Sequence, residues 1–316
     1  MGEMTQDYTL QTLSCIADAE GPVVATLLRA TPPPNPAAGS GRSVLYLHGF
    51  IDYFFHDHVA AAFVAHGYDF WALDLRKYGR SLLPHQHPNA CLDINDYYEE
   101  IGMALKAMQA AGAQQITLLG HSTGGLIACL YAREGAERAA LSRLVLNSPF
   151  FEFNESPFVR GAAGVMANAL AGSRPYAKLP KGISPMYGES LHKSRRGAWE
   201  YNLAWKPLKG FPAYLGWVRT IRAAQQRLQQ GLDLQIPILL LHSDKSVKAG
   251  SKWDEALHTA DAVLNVEDMK KYGPGLGRNV TLIEIADGKH DLFLSNKAVC
   301  ARALAAMFGW MEQGGA

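Results

Sequence analysis

Serine, histidine and aspartate are the residue types from which a hydrolytic relay is built, and one stretch of this 316-residue chain sets a serine in the right local frame. Gly120-His121-Ser122-Thr123-Gly124 has the form G-x-S-x-G. It follows a short aliphatic run, Ile116 to Leu119, and precedes a segment in which Leu126, Ile127, Leu130 and Tyr131 recur at helical spacing. The pattern predicts strand, sharp turn, helix. A serine at the top of such a turn takes strained backbone angles, and the chain makes room for it only if the residues two before and two after lack side chains. Gly120 and Gly124 meet that condition, and Gly125 allows close packing. The Ser122 hydroxyl is then lifted to the carboxyl end of the strand, beside a helix N-terminus whose N–H groups and dipole favour negative charge. The chemistry this suits is nucleophilic attack on an acyl carbon.

Such a reaction needs three further parts. The general base is expected to be His290, in Ala286-Asp-Gly-Lys-His290-Asp, just past the last strand and downstream of serine and acid alike. The oxyanion needs two N–H donors. His48-Gly49-Phe50 ends the buried strand Ser43 to Leu47, and Gly49 lets that loop come close, so the backbone N–H groups of Phe50 and Thr123 are the expected pair. The imidazole needs a carboxylate to hold its tautomer, and two aspartates compete for that role. Asp244 comes directly after the strand Ile236 to His242, whereas Asp261 follows an intervening segment. Placement at the strand end favours Asp244.

The elements that must hold these parts read in order. Tyr8 to Ser14 and Val23 to Ala30 alternate as an antiparallel pair, and the proline- and glycine-rich stretch Thr31 to Gly41 is a loop. Helices are expected over His56 to His66 and Asp93 to Gly112, the latter with Ile94, Tyr97, Tyr98, Ile101, Leu105 and Met108 on one face. Strands follow at Tyr68 to Leu75, Leu144 to Ser148 and Asn279 to Ile285, with a closing helix from Lys297 to about Met311. Alternating strands and helices imply an α/β fold, a mostly parallel sheet with helices on both faces.

Composition narrows the partners. Thirty basic against 29 acidic residues give a net charge of +1 with no long run of either sign, so nucleic acid is not expected as a partner. No apolar run reaches membrane-span length, and the start Met1-Gly-Glu-Met-Thr-Gln-Asp7 lacks the basic and apolar regions of a signal peptide, so a cytoplasmic protein without integral membrane association is expected. Cys15, Cys91, Cys129 and Cys300 have no paired spacing and are expected to be free thiols. The pairs His56/His58 and His85/His87 lack accompanying carboxylates and are expected to be solvent-exposed, so no metal is called for. The sequence leaves the oligomeric state open.

Taken together, Leu47-His-Gly-Phe50, Ala72-Leu-Asp-Leu-Arg-Lys-Tyr-Gly-Arg-Ser81, Asp96-Tyr97-Tyr98 and Gly120-His-Ser-Thr-Gly-Gly125 resemble the α/β-hydrolases of the monoacylglycerol lipase and lysophospholipase branch, grouped with the serine aminopeptidase domain. The resemblance covers residues 22 to 150 and resumes near 236. It departs at Lys77-Tyr78, where that family has glycine and an aromatic or histidine. It implies an α/β-hydrolase core over 1–148 and 233–316, with a helical cap inserted over 149–232. It also bears on the acid. In the family an acid, an apolar residue, a helix, a strand and then the histidine follow within about thirty residues. Asp261, Val263 and Leu264, a helix over Val266 to Tyr272, the strand 279–285 and His290 reproduce that order, which favours Asp261, with residues 244–260 an insertion.

The cap segment is rich in aromatics, and those at its junction, Phe150 and Phe151, are expected to face the site together with Phe50 and His121. An apolar lid implies an apolar group beneath it. The expected activity is hydrolysis of a small, lipid-like carboxylic ester through an acyl-serine, with no cofactor. An aminopeptidase or amidase on the same triad, or a small-molecule receptor that keeps the fold without turnover, are the alternatives.

Overall fold

The computed structural model describes residues 7–31, 41–179 and 184–313. The expected loop at 31–41 therefore lies almost wholly outside the described residues. Eight strands form one sheet in the order β1-β2-β4-β3-β5-β6-β7-β8. β1 (Tyr8–Asp18) and β2 (Gly21–Ala30) are an antiparallel hairpin, and β2 pairs antiparallel with β4 (Asp69–Asp74). From there the sheet is parallel through β3 (Arg42–Leu47), β5 (Gln115–His121), β6 (Leu141–Asn147), β7 (Ile238–Ser243) and β8 (Val280–Ile285).

Why the central strands read as unbroken apolar runs follows from their two covered faces. In β3, Leu45 and Leu47 enter one core and Val44 and Tyr46 the other; in β7, Ile238 and Leu240 oppose Leu239 and Leu241 in the same way. The first core is closed by α2 (Asp96–Ala110), α3 (Thr123–Glu134) and α7 (Val266–Tyr272), the second by α1 (Asp57–Ala65) and α8 (Lys297–Glu312). The amphipathic face expected for α2 is buried at Tyr97, Ile101, Leu105 and Met108. The strand order reverses between β3 and β5, so the chain leaves these neighbouring strands in different directions and opens a crevice at their carboxyl ends. The His48-Gly49-Phe50 turn and Ser122 both sit there.

Between β6 and β7 come α4 (Pro157–Leu170), α5 (Pro185–Leu191) and α6 (Leu215–Gln229), with no strand among the described residues of that segment. Serine N-caps followed by proline start α4 and α5, a pairing that satisfies an end N–H and presets the first helical angle. α6 packs on α3 as well as on α4, and Trp217, Val218, Ile221 and Leu228 lie in the same core as α2 and α3. The inserted segment thus shares the core of the sheet.

Lys77 shows how this chain accommodates its departure from the family pattern. Its φ of 65° is left-handed, the conformation glycine adopts without cost. The buried Lys77 ammonium reaches back to Asp18 and Glu20 at the β1–β2 turn, and these ion pairs anchor the residue in that conformation. All four cysteines are free. No helix among the described residues is long and apolar enough to cross a membrane.

Candidate active site

Ser122 stands between β5 and α3 with φ 52° and ψ −116°, a strained conformation that costs on the order of 1–3 kcal/mol. Its surroundings fix it there. The Ser122 N–H donates to the Asn147 carbonyl at 3.0 Å, and the Ser122 carbonyl accepts from the Phe150 N–H at 3.0 Å. A Cβ on Gly120 would lie 2.5 Å from the Gly124 carbonyl oxygen, and one on Gly124 would lie 2.5 Å from the carbonyl oxygens of both Leu47 and His48. These are backbone contacts that cannot yield, so the glycine requirement expected of the turn is steric on both sides of the serine. Gly49 serves the neighbouring loop, where a Cβ would be 3.1 Å from Ser122 Cβ.

Two hydrogen bonds link three residues that are 29 and 168 positions apart in sequence. Ser122 Oγ lies 3.0 Å from His290 Nε2, and His290 Nδ1 lies 2.9 Å from Asp261 Oδ2. The other oxygen of Asp261 accepts the N–H groups of Val263 and Leu264 at 2.9 and 2.8 Å, which fixes the carboxylate's orientation. Asp261 is fully buried.

Asp244 is elsewhere. It accepts the Asp287 N–H at 2.8 Å and pairs with Lys245, holding the turn that follows β8. The two sequence arguments about the acid diverge because residues 244–260 leave β7 and come back. Asp261 N–H donates to the Lys245 carbonyl and its own carbonyl accepts from Val247, so Asp261 is zipped against the chain just past the end of β7.

The loop after β3 is pinned by His48. Its Nδ1–H donates to the Gly49 carbonyl at 2.8 Å and its Nε2 accepts the Leu75 N–H at 3.0 Å. Burial pushes the His48 pKa down and keeps the ring neutral, as that bonding requires. Among the described residues, the N–H groups of Phe50 and Thr123 donate to no protein acceptor. Thr123 is the first residue of α3, where an N–H has no intrahelical partner.

The residues expected to line the site separate. Phe50 stacks on Trp217 at 4.0 Å, and Phe150 and Phe153 complete an aromatic cluster, tied to the serine through the Phe150 N–H. Phe151 is buried in the core, with its carbonyl accepting from Gln229. His121 is buried and turned inward, its Nδ1 on the Asn147 carbonyl at 3.1 Å and its Nε2 3.8 Å from Asp291. Burial lowers its pKa to about 4 and leaves it neutral. The expectation that His56 is solvent-exposed is corrected: it is wholly buried, because Asp291, far away in sequence, accepts from its Nε2 at 2.8 Å. His58 is half-buried, bonded to the Phe293 carbonyl and stacked on Trp199. His85 is exposed, and His87 is half-buried on Glu20.

Sequence reasoning did not find Trp217, Tyr187 or the contacts that the segment between β6 and β7 makes with the His290 loop. Tyr187 meets the His290 ring edge-on at 5.9 Å, Lys289 Nζ donates to the Ser190 carbonyl at 2.6 Å, and Trp199 Nε1 donates to the Leu294 carbonyl at 2.7 Å. Lys206, between α5 and α6, pairs with Asp52 at 2.7 Å. Aromatic abundance marked the segment, but no local pattern says which ring faces which loop. Asp52, His121 and Asp291 cluster closely, yet Lys206 already balances Asp52, and His56 and Asn147 hold Asp291, so the cluster has no carboxylate left over for a cation.

A mostly parallel sheet with helices on both faces, an elbow serine at the strand-order reversal and an inserted helical segment together define an α/β-hydrolase. The sequence profile of the serine aminopeptidase S33 family matches residues 40–293, and the chain belongs to that family. Among curated proteins no sequence match is found. Similar solved structures include the Saccharomyces cerevisiae monoglyceride lipase, crystallised as a soluble variant with a substrate analogue, at TM-score 0.68 and 17% identity, covering 98% of each chain. The monoacylglycerol lipase of Paleococcus ferrophilus matches at TM-score 0.64 and 16% identity over 96% of this chain and 98% of that one. Est1E from Butyrivibrio proteoclasticus, with ferulic acid bound, matches at TM-score 0.59 and 17% identity over 95% and 98%.

Proposed function

We propose that this protein is a serine hydrolase that cleaves carboxylic esters carrying an apolar acyl or alkyl group. The observation that carries the proposal is the unbroken chain Ser122 Oγ, His290, Asp261 at 3.0 and 2.9 Å. In the first half-reaction Ser122 attacks the acyl carbon while His290 Nε2 takes its proton, and Asp261 holds the Nδ1–H tautomer and offsets the imidazolium charge. The Phe50 and Thr123 N–H groups receive the oxyanion, each such donor lowering the barrier by about 3 kcal/mol. His290 returns the proton to the leaving alcohol, and water then resolves the acyl-serine with the same residues in the same roles. No step calls on a cofactor. The aromatic cluster of Phe50, Phe150, Phe153 and Trp217, tied to the serine through the Phe150 N–H, supports an apolar substrate of the lipid-like kind.

The family's name raises cleavage of peptides from a free amino end as a second reading. That substrate brings a protonated amine, which calls for a carboxylate at the site. The buried carboxylates near the serine, Asp52 and Asp291, are already engaged by Lys206 and by His56 and Asn147, which favours the ester.

The test is turnover of p-nitrophenyl esters from acetyl to palmitoyl, beside aminoacyl p-nitroanilides, for the wild type and Ser122→Ala. Ester turnover that falls at least about 10³-fold in Ser122→Ala is the expected result. Anilide turnover exceeding ester turnover would establish the peptidase instead. Labelling of Ser122 by a fluorophosphonate without turnover of either substrate class would point to a receptor.

A further inference from the structure

Directly after His290 comes a second buried carboxylate, Asp291, which the reaction as described does not use. Its Oδ1 accepts from Asn147 Nδ2 at 2.8 Å and from its own loop's Phe293 N–H at 3.0 Å. Its Oδ2 accepts from His56 Nε2 at 2.8 Å, with His121 Nε2 3.8 Å away. His56 Nδ1 has no partner among the described residues, so the ring is bonded through Nε2 alone, and the tautomer with its proton on Nε2 leaves no buried donor unmet.

Asn147 carries the connection onward. Its side-chain oxygen accepts the Leu292 N–H at 3.3 Å, and its main-chain carbonyl accepts the Ser122 N–H and lies 3.1 Å from His121 Nδ1. One residue at the end of β6 therefore grips the loop of the base with its side chain and the nucleophile with its backbone. His56, just before α1, grips the same carboxylate from the other side.

We propose that Asp291 is a positioning residue for the hydrolytic reaction, holding His290 in register with Ser122 through Asn147 and His56. The inference rests on the serine-hydrolase reading above. Its physical basis is covalent. Asp291 directly follows His290, so a carboxylate gripped by Asn147 from β6 and by His56 from the other side fixes the peptide that carries the imidazole. Burial alone would raise the Asp291 pKa, but the hydrogen bonds from His56 and Asn147 outweigh that and hold the carboxyl well below the usual range, so it stays an anion. A misplacement of about 1 Å between nucleophile and base costs roughly 10²-fold in rate.

The experiment compares Asp291→Asn, His56→Leu and His56→Gln with the wild type in kcat, KM and the rate constant for fluorophosphonate labelling of Ser122. Gln keeps an N–H donor at about the reach of His56 Nε2, and Leu does not. Asp291→Asn should lower kcat and the labelling rate constant by roughly 10- to 100-fold with KM changed less than threefold. His56→Leu should show at least a tenfold loss that His56→Gln restores. A role limited to fold stability would lower the melting temperature and leave kcat of the folded fraction in place. Asp291→Asn with kcat and labelling within threefold of the wild type would overturn the inference and leave the hydrolase reading standing. If Asp291→Asn does not fold, the two His56 variants decide, and equal kcat in both would overturn it. A wild-type protein that fluorophosphonate does not label would refute the hydrolase reading itself and the inference with it.

Discussion

Replacing Asp261 by asparagine changes one atom, and the structure says which way the amide must face. Asp261 Oδ1 accepts two backbone N–H groups, from Val263 and Leu264, while Oδ2 faces His290 Nδ1. In the variant the amide oxygen stays on the two N–H donors, because turning it would leave both unpaired. Each unpaired buried donor costs about 1–3 kcal/mol, so the flip costs roughly 2–6 kcal/mol. The NH₂ group is then aimed at His290 Nδ1 and forces that nitrogen to accept. The ring proton moves to Nε2, where it points at Ser122 Oγ and bars the base from taking the serine proton. At about 1.4 kcal/mol per tenfold, the flip penalty alone is a loss of roughly 30-fold to 10⁴-fold. Loss of the charge that steadies the imidazolium pushes the expected loss in kcat to the upper end, about 10⁴-fold, with KM little changed. Asp244→Asn is the matched comparison. It keeps an oxygen for the Asp287 N–H and loses only a half-exposed pair with Lys245, so turnover should stay within about threefold. Steady-state kinetics on a p-nitrophenyl ester, with melting temperatures for both variants, measure this. A large loss in Asp244→Asn with Asp261→Asn near the wild type would refute the geometry.

Gly124→Ala should destabilise the fold by about 3 kcal/mol or more in urea unfolding, because its Cβ would lie 2.5 Å from two carbonyl oxygens of the β3 end. Gly309→Ala in α8 meets nothing within 4 Å and should stabilise by up to about 1 kcal/mol; similar values for the two would contradict the steric argument. Lys289→Met removes a buried ammonium whose pKa burial lowers from 10.5 to about 8. The native state thus binds its proton less well than the unfolded chain, so the charge destabilises fully below pH 8 and the penalty fades as pH rises from 8 to 10.5. Against a shift of that size, about 3 kcal/mol, and the loss of one hydrogen bond to Ser190, the variant should gain about 2 kcal/mol at pH 7 and lose that advantage by pH 10.5; a gain independent of pH would refute the cause.

Much of the architecture was legible because it is written in local pattern. The helix expected over Val266 to Tyr272 from the family's order has those bounds, and the parallel strands announce themselves as aliphatic runs because both their faces are buried. Ser122 was legible for a steric reason, since only glycine fits at 120 and 124. The burial of His56 was not, because nothing near it in sequence shows that Asp291, 235 residues on, will accept its hydrogen bond. Nor does aromatic content tell that the ring of Phe150 meets Phe153 and Trp217, because Phe150 and its neighbour Phe151 are buried in the same core and only the long-range packing decides which rings touch.

By itself, then, the sequence determined the elbow, the order of strands and helices and the two candidate acids, all properties of neighbours along the chain. Only the tertiary structure decided that Asp261 and not Asp244 meets His290. The reason is that the segment from 244 to 260 makes an excursion and returns, so that a residue distant from β7 in sequence is zipped against its end in space. The same long-range pairing set Lys206 against Asp52 and Asp291 against Asn147, contacts made by loops whose closure no local periodicity records.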